Sequence, residues 1–227
     1  RTLLIAERTM LNLVSHLSGI ATATSQWADA LAGTKTKIRD TRKTIPGLRD
    51  LDKYAVRCGG GINHRMGLSD AALIKDNHIA AAGSLIAAVN AVRSHQPDVV
   101  CEVECDTVNQ VREAVDAGIQ TILLDNMDDT QMTEAVGLCR PHGVITEASG
   151  GLTLNRATEI AATGVDYVAV GAITHSAPMI AAPKLLAVRF SVDWISIPPG
   201  RSRSRQVATK AAGSATCSTI SSAITTS

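Results

Sequence analysis

Between Thr9 and Leu31 the apolar residues Met10, Leu13, Val14, Leu17, Ile20, Trp27 and Leu31 recur at steps of mostly three and four, the period of one helix face. The pattern predicts one long helix, or two joined near Gly19. Six short apolar runs follow, at 37–40, 71–75, 99–104, 121–125, 144–149 and 167–171. The segments between them, such as 107–117 and 153–163, have helical periodicity. They open on Thr or Asp, and Gly118 or Gly164 stands just past their ends. Strands alternating with helices predict parallel strands joined by crossover helices, arranged as a barrel or as an open doubly wound sheet.

The polar residues that end the runs choose between these two. Lys75, Glu104, Asp125, Ser149 and Gly171 each close a different strand, so they share the carboxyl-terminal rim of the sheet. A barrel gathers all five over one axis, whereas an open sheet brings together only two at a switch point. The expectation is an α/β barrel with a leading helix over 1–178. In the run Cys101 to Cys105 the pleat turns Glu102 and Glu104 to one face and the cysteines and Val103 to the other. Two acids on one face require a polar lumen, because an unpaired buried carboxylate is costly. The cysteines then lie against the helices as small hydrophobes. Beyond Pro178 the alternation stops, and 179–227 is expected to be a divergent tail. Its stretch from 199 on, rich in Ser, Thr, Ala and Arg after Pro198-Pro199-Gly200, is expected to be disordered.

Composition narrows the class without naming the chemistry. The 227 residues suffice for a substantial core, and the scarcity of aromatics (2%) means that Ala, Val, Ile and Leu must build it. The net charge of +1 conceals an asymmetry: the tail 179–227 carries +5 and the body −4. A nucleic-acid role is therefore disfavoured for the body, and only the tail leaves it open. The five cysteines are odd in number and include no Cys-x-x-Cys pair, which argues against a disulfide framework and a zinc site and favours a cytoplasmic protein. The longest apolar stretch, 79–89, is shorter than the roughly 20 residues that cross a bilayer, so no membrane partner is expected. The chain opens at Arg1, already inside the helical pattern, and reads as cut at its front end.

The candidate chemistry lies on the rim. Cations gather at Arg42, Lys43, Arg57, His64, Arg65 and Lys75, with Thr41 among them. Such a set suits a ligand bearing several carboxylates or phosphates, since Arg forks onto them through two hydrogen bonds. Glu104 and Asp125 would repel that ligand unless a hard divalent ion, Mg²⁺ in particular, stood between. Glycines after two strands, in Ser149-Gly150-Gly151 and at Gly171-Ala172-Ile173, let backbone N–H groups approach a phosphate. Taken singly, Arg42 and Lys43 could be a solvated turn, and Glu104 or Asp125 a salt-bridge partner of Lys75. The remaining histidines, His16, His78, His95, His142 and His175, show no partner pattern and are read as structural.

Several stretches together resemble quinolinate phosphoribosyltransferases: Glu7-Arg8-Thr9, "DTRKTIPGLR" from Asp40, "YAVRCGGGINHRMGLSDAALIKDNH" from Tyr54, "EVECD" from Glu102, "LLDNM" from Leu123, "EASGGL" from Glu147 and "GVDYVAVGAITHS" from Gly164. The resemblance runs from about Arg1 to Ser176. It implies a barrel of the type II phosphoribosyltransferase kind, homodimeric or of higher order. Such enzymes join quinolinate to 5-phosphoribosyl 1-diphosphate with Mg²⁺, releasing diphosphate and CO₂ and giving nicotinate mononucleotide for NAD biosynthesis.

The resemblance also implies roles. Thr41, Arg42, Lys43, His64, Arg65 and Lys75 would hold the quinolinate carboxylates and nearby phosphates, and Arg8 would reach the partner subunit's site. Glu104 and Asp125 would serve the metal and the ribose. Ser149 to Gly151 and Gly171 to Ile173 would cradle the 5-phosphate. Lys43 and Lys75 are expected to do electrostatic work rather than proton transfer. The family's preceding sandwich domain is missing from this sequence, and its closing segment is replaced from Met179 on. An inactive remnant or non-enzymatic dimer subunit therefore stands as an alternative. A nicotinate phosphoribosyltransferase is a lesser one, needing fewer cations.

Overall fold

The computed structural model describes residues 2–180, so the expectation for the stretch from 199 on lies outside the described residues. The leading helix α1 (Thr2–Ala30) is continuous, so Gly19 is not a break. A side chain at Gly19 would overlap the Pro178 carbonyl, and the Ile180 N–H donates to the Ser15 carbonyl close by (3.1 Å). The returning chain thus crosses α1 where the helix has no side chain. Ile20, Thr24, Trp27 and Leu31 form the buried stripe of α1 and its first following turn, at helical spacing.

After α1 the chain runs through β1 (Lys37–Arg39), α2 (Arg49–Cys58), β2 (Ala71–Ile74), α3 (Asp76–Ala82), α4 (Leu85–His95), β3 (Val100–Cys105) and α5 (Val108–Asp116). It continues with β4 (Thr121–Asp125), α6 (Asp129–Cys139), β5 (Ile145–Ser149), α7 (Ala157–Ala162), β6 (Tyr167–Ala169) and α8 (Ala172–His175). Capping boxes start two of the helices: Thr107 with Gln110 at α5, and Asp128 with Gln131 at α6. Helix α7 is shorter than its periodicity predicts, because 154–156 form a 3₁₀ turn ahead of it.

All strand pairs are parallel, in the order β1-β6-β5-β4-β3-β2. The first strand pairs with the last, so the sheet curls in the cyclic order of a barrel, as the rim residues predict. One seam differs. On its free side β1 meets only Ile62, through a single bridge from Arg39, and no ladder joins that edge to β2 among the described strands.

The two faces of the sheet are chemically opposite. Facing the helices are Ile38, Ile74, Val103, Cys105, Ile122, Leu124, Ala148 and Val168, all buried. The register places Arg39, Tyr167, Glu147, Leu123, Glu102 and Leu73 on the other face, which lines the lumen. Cys105 therefore packs in the apolar layer, where burial pushes its thiol up to about 12, and Cys139 on α6 is similarly raised to about 11. Among the described residues no helix is long and apolar enough to cross a membrane.

Candidate active site

The strand ends converge as the sequence predicts, but they bring a second set of residues with them. At the end of β1, Asp40 is fully buried. Its Oδ1 accepts from Lys53 Nζ (2.6 Å) and from the His64 backbone N–H (2.7 Å), and its Oδ2 accepts from the Asn63 amide (2.7 Å). Lys53 also donates to the His64 carbonyl (2.9 Å). Burial lowers the Lys53 pKa despite its carboxylate partner. This network ties α2 and the 62–66 segment to the end of β1, fixing the loop that carries Thr41, Arg42 and Lys43.

In that loop Thr41 Oγ1 accepts the Lys43 N–H (3.0 Å), and Thr174 Oγ1 on α8 donates to the Lys43 carbonyl (2.8 Å). The Lys43 side chain lies over Gly171, where an added Cβ would come within 3.1 Å of it. Arg42 keeps its Nε buried without a hydrogen-bond partner among the described residues. Arg65 donates through Nη1 to the Ala71 carbonyl (2.7 Å). Burial, then the nearby Arg42, lower the Arg65 pKa, with Glu102 and Asp70 opposing. The Arg42 charge thus bears on Arg65, and the buried Arg42 Nε–H finds no acceptor among the described residues, which suits an anion.

Below them His64 is buried, and both its ring nitrogens have polar neighbours. Nδ1 accepts the Arg65 N–H (2.8 Å), while Nε2 lies 3.0 Å from Glu102 Oε2 and 3.4 Å from Glu147 Oε1. Arg39 donates to Glu147 Oε2 (2.6 Å) and stacks on Tyr167, 4.5 Å from the ring centre. Burial raises the Glu147 pKa, and the Glu102 charge raises it further.

At the ends of the laddered strands β2 and β3, Lys75 pairs with Glu104. The salt-bridge reading of Glu104 therefore holds in this structure without displacing it from the rim. Asp125 accepts from the Asn126 amide (2.7 Å). Asn126 adopts a left-handed φ of 53°, and Gly150 must be glycine because a Cβ there would strike Asn126. Gly150 and Gly151 are both left-handed (φ 86° and 60°), and Ser149 sits opposite Asp125 in register. Gly171, Ala172 and Ile173 form the N-terminal turn of α8, whose first N–H groups have no acceptor inside the helix.

Other readings resolve structurally. Cys58 precedes three glycines of which two, Gly59 and Gly61, press on Thr24 of α1, so the stretch serves packing. His16, read as lacking a partner, pairs with Asp52 (2.8 Å), and His78 accepts the Lys75 N–H as a helix cap (3.0 Å). Arg39, Lys53 and Glu147 join the site without being singled out by the sequence patterns. Glu147 was within reach: it stands two residues before Ser149, as Glu102 stands two before Glu104, so the pleat puts it in the lumen.

Fold and rim define an α/β-barrel protein with a mouth of guanidiniums, lysines and glycine turns over a carboxylate-lined lumen. Residues 20–181 match the family described as quinolinate phosphoribosyl transferase, C-terminal domain. The chain belongs to that family. It is 58% identical over 178 residues to the nicotinate-nucleotide pyrophosphorylase (carboxylating) of Mycobacterium leprae, covering 78% of this chain and 63% of the relative. To a mitochondrial quinolinate phosphoribosyltransferase (decarboxylating) of Nicotiana tabacum it is 42% identical over 210 residues, covering 84% and 57%. The solved nicotinate-nucleotide pyrophosphorylase of Francisella tularensis superposes with a TM-score of 0.76 at 45% identity, covering 79% of this chain and 64% of that one. The chain thus spans less than two thirds of the length of these relatives.

Proposed function

We propose that this chain carries the site for phosphoribosyl transfer from 5-phosphoribosyl 1-diphosphate to quinolinate, with decarboxylation to nicotinate mononucleotide, diphosphate and CO₂. This places it among glycosyltransferases of NAD biosynthesis. The observation that supports it most is the Arg42 and Arg65 pair, with the unpartnered Arg42 Nε. Like charges gathered at a half-buried mouth call for a ligand with more than one carboxylate, which favours quinolinate over a monocarboxylate.

In this reading Arg42, Arg65 and Lys43 hold the two carboxylates, with His64 steadying Arg65 from beneath. Arg8, exposed on α1, reaches the site of a second copy in a homodimer or higher homo-oligomer. The left-handed pair Gly150-Gly151 with Ser149, and Gly171 to Ile173, cradle the 5-phosphate through backbone N–H groups. Lys75 faces the leaving diphosphate, and Glu104 and Asp125 address the ribose. Glu104 is engaged through Oε2 and Asp125 through Oδ2, leaving Oε1 and Oδ1 without a partner among the described residues. Two free carboxylate oxygens suit Mg²⁺, which takes one or two carboxylates and fills its remaining positions with water and phosphate. When bound, it would neutralise charge on the diphosphate.

The chain's own contribution is positioning. Its cations fix the ring nitrogen toward the ribose carbon, and the charge developing on the leaving group meets Lys43 and Lys75. Once the ring nitrogen is ribosylated and cationic, the electrons of the breaking C–COO⁻ bond fall toward it. CO₂ then leaves and the ring carbon takes up a proton. A cytoplasmic setting fits Cys105 and Cys139, which are buried and not joined in a disulfide.

The test is release of labelled CO₂ from carboxyl-labelled quinolinate with 5-phosphoribosyl 1-diphosphate and Mg²⁺. We expect release that depends on both substrates and that falls about a hundredfold in Arg42→Lys, which keeps the charge and loses the fork. A folded chain without release, or an Arg42→Lys variant matching wild type, would sink this reading.

A further inference from the structure

The lumen beneath the rim holds a cluster that the transfer reaction does not use directly: His64, Glu102 and Glu147, closed on one side by Arg39. Nitrogen and carboxylate oxygens of the three residues lie within 4.8 Å of one another, a spacing that a metal triad could share. The imidazole decides against a metal. Its Nδ1 accepts the Arg65 N–H at 2.8 Å, so in the neutral ring the proton sits on Nε2, and a protonated nitrogen cannot ligate. Nε2 instead faces the two carboxylates, 3.0 Å from Glu102 Oε2 and 3.4 Å from Glu147 Oε1.

We propose that Glu147 is a positioning residue for carboxylate recognition, acting with Glu102 through His64. The chain of contacts is continuous. Arg39 anchors Glu147 at 2.6 Å, Glu147 and Glu102 flank the imidazole N–H, and the imidazole accepts the backbone N–H of Arg65. The Arg65 side chain then crosses the seam to Ala71 and stands beside Arg42. Glu147 is fully buried and reaches no part of the rim, so its effect on the ligand passes through these neighbours. A carboxylate buried at this cost is retained because its removal would free the ring to turn, and with it the peptide that aims Arg65. The inference rests on the quinolinate reading for the identity of the ligand, and on geometry alone for the state of His64.

The experiment uses the full chain as wild type, Glu147→Ala and Glu147→Gln. In wild type, ¹⁵N spectra of imidazole-labelled protein should show one buried histidine protonated at Nε2, unchanged in Glu147→Gln and lost or averaged in Glu147→Ala. In Glu147→Ala the KM for quinolinate should rise about tenfold, with the KM for 5-phosphoribosyl 1-diphosphate within about twofold of wild type. The amide should restore most of that loss. A buried histidine protonated at Nδ1, an equal rise in both KM values, or no rescue by the amide would overturn the proposal. A wild-type chain without turnover would instead count against the quinolinate reading, and the imidazole spectrum would still decide the role of Glu147. Should Glu147→Ala not fold, Glu102→Ala tests the same linkage: the Nε2 proton should be lost or averaged and only the quinolinate KM should rise.

Discussion

The helix-facing and lumen-facing sides of the same six strands obey different rules, although one residue step separates them. Outside, Ile122 and Leu124 sink into a continuous apolar layer; inside, Leu123 lies level with Glu104 and Glu147. The outer side is held by removal of apolar area from water, which is indifferent to partner identity. The inner side is held by pairs, Arg39 with Glu147 and Lys75 with Glu104, each of which must find its counterpart. Stability therefore resides outside and ligand chemistry inside, and the pleat lets one strand serve both.

Among the described residues the helix side holds two pairs with buried acids, Lys53 with Asp40 and His16 with Asp52, and the first offers the largest effect. Lys53 and Asp40 are fully buried between α2 and the end of β1, so Lys53→Met should strand Asp40 and cost about 4 kcal/mol in urea unfolding. A loss below about 1 kcal/mol would mean that water reaches the pair and that the outer side is less dry than its neighbours suggest. The comparison itself is sharpened by one substitution on adjacent residues. Leu124→Thr should cost about 3 kcal/mol, because its hydroxyl meets only apolar groups, whereas Leu123→Thr should cost about 1 kcal/mol among polar ones. Equal losses would erase the distinction between the faces.

The smallest effect lies at the amino-terminal end of the barrel, where Asp166 pairs with Lys35 and accepts from Thr146. Burial alone would raise the Asp166 pKa, but the Lys35 pair and the Thr146 hydrogen bonds outweigh it and hold it below its ordinary value. A depressed carboxyl stabilises the fold above its unfolded value, and that contribution is lost as pH falls through the lower folded value. Asp166→Asn should therefore be less stable than wild type at pH 7, by about 1 kcal/mol for so exposed a pair. The gap should close on acidification below the ordinary carboxylate range. A gap that persists unchanged in acid would trace the loss to packing rather than charge.

The same contrast explains what could be read in advance. Apolar runs and caps are local, so the six strands and the Thr107 cap stand in the sequence nearly as they stand in the fold. Rim residues were legible because they end runs. Arg39, Glu147, Lys53 and His64 were not legible as partners, since their pairing spans up to 108 residues and exists only once the sheet has curled. Gly19 left one helix or two open for a related reason: its lack of a side chain serves a crossing by Pro178, which no helical period can announce.

The unladdered seam between Ile62 and β2 has a mechanical consequence. A collar fastened all round resists every change of diameter, whereas one slit lengthwise can breathe at the slit without breaking a strand-to-strand bond. Across this slit runs the Arg65 guanidinium, holding Ala71 with one arm while standing beside Arg42 at the mouth. The clasp of the collar is therefore one of the mouth's own cations.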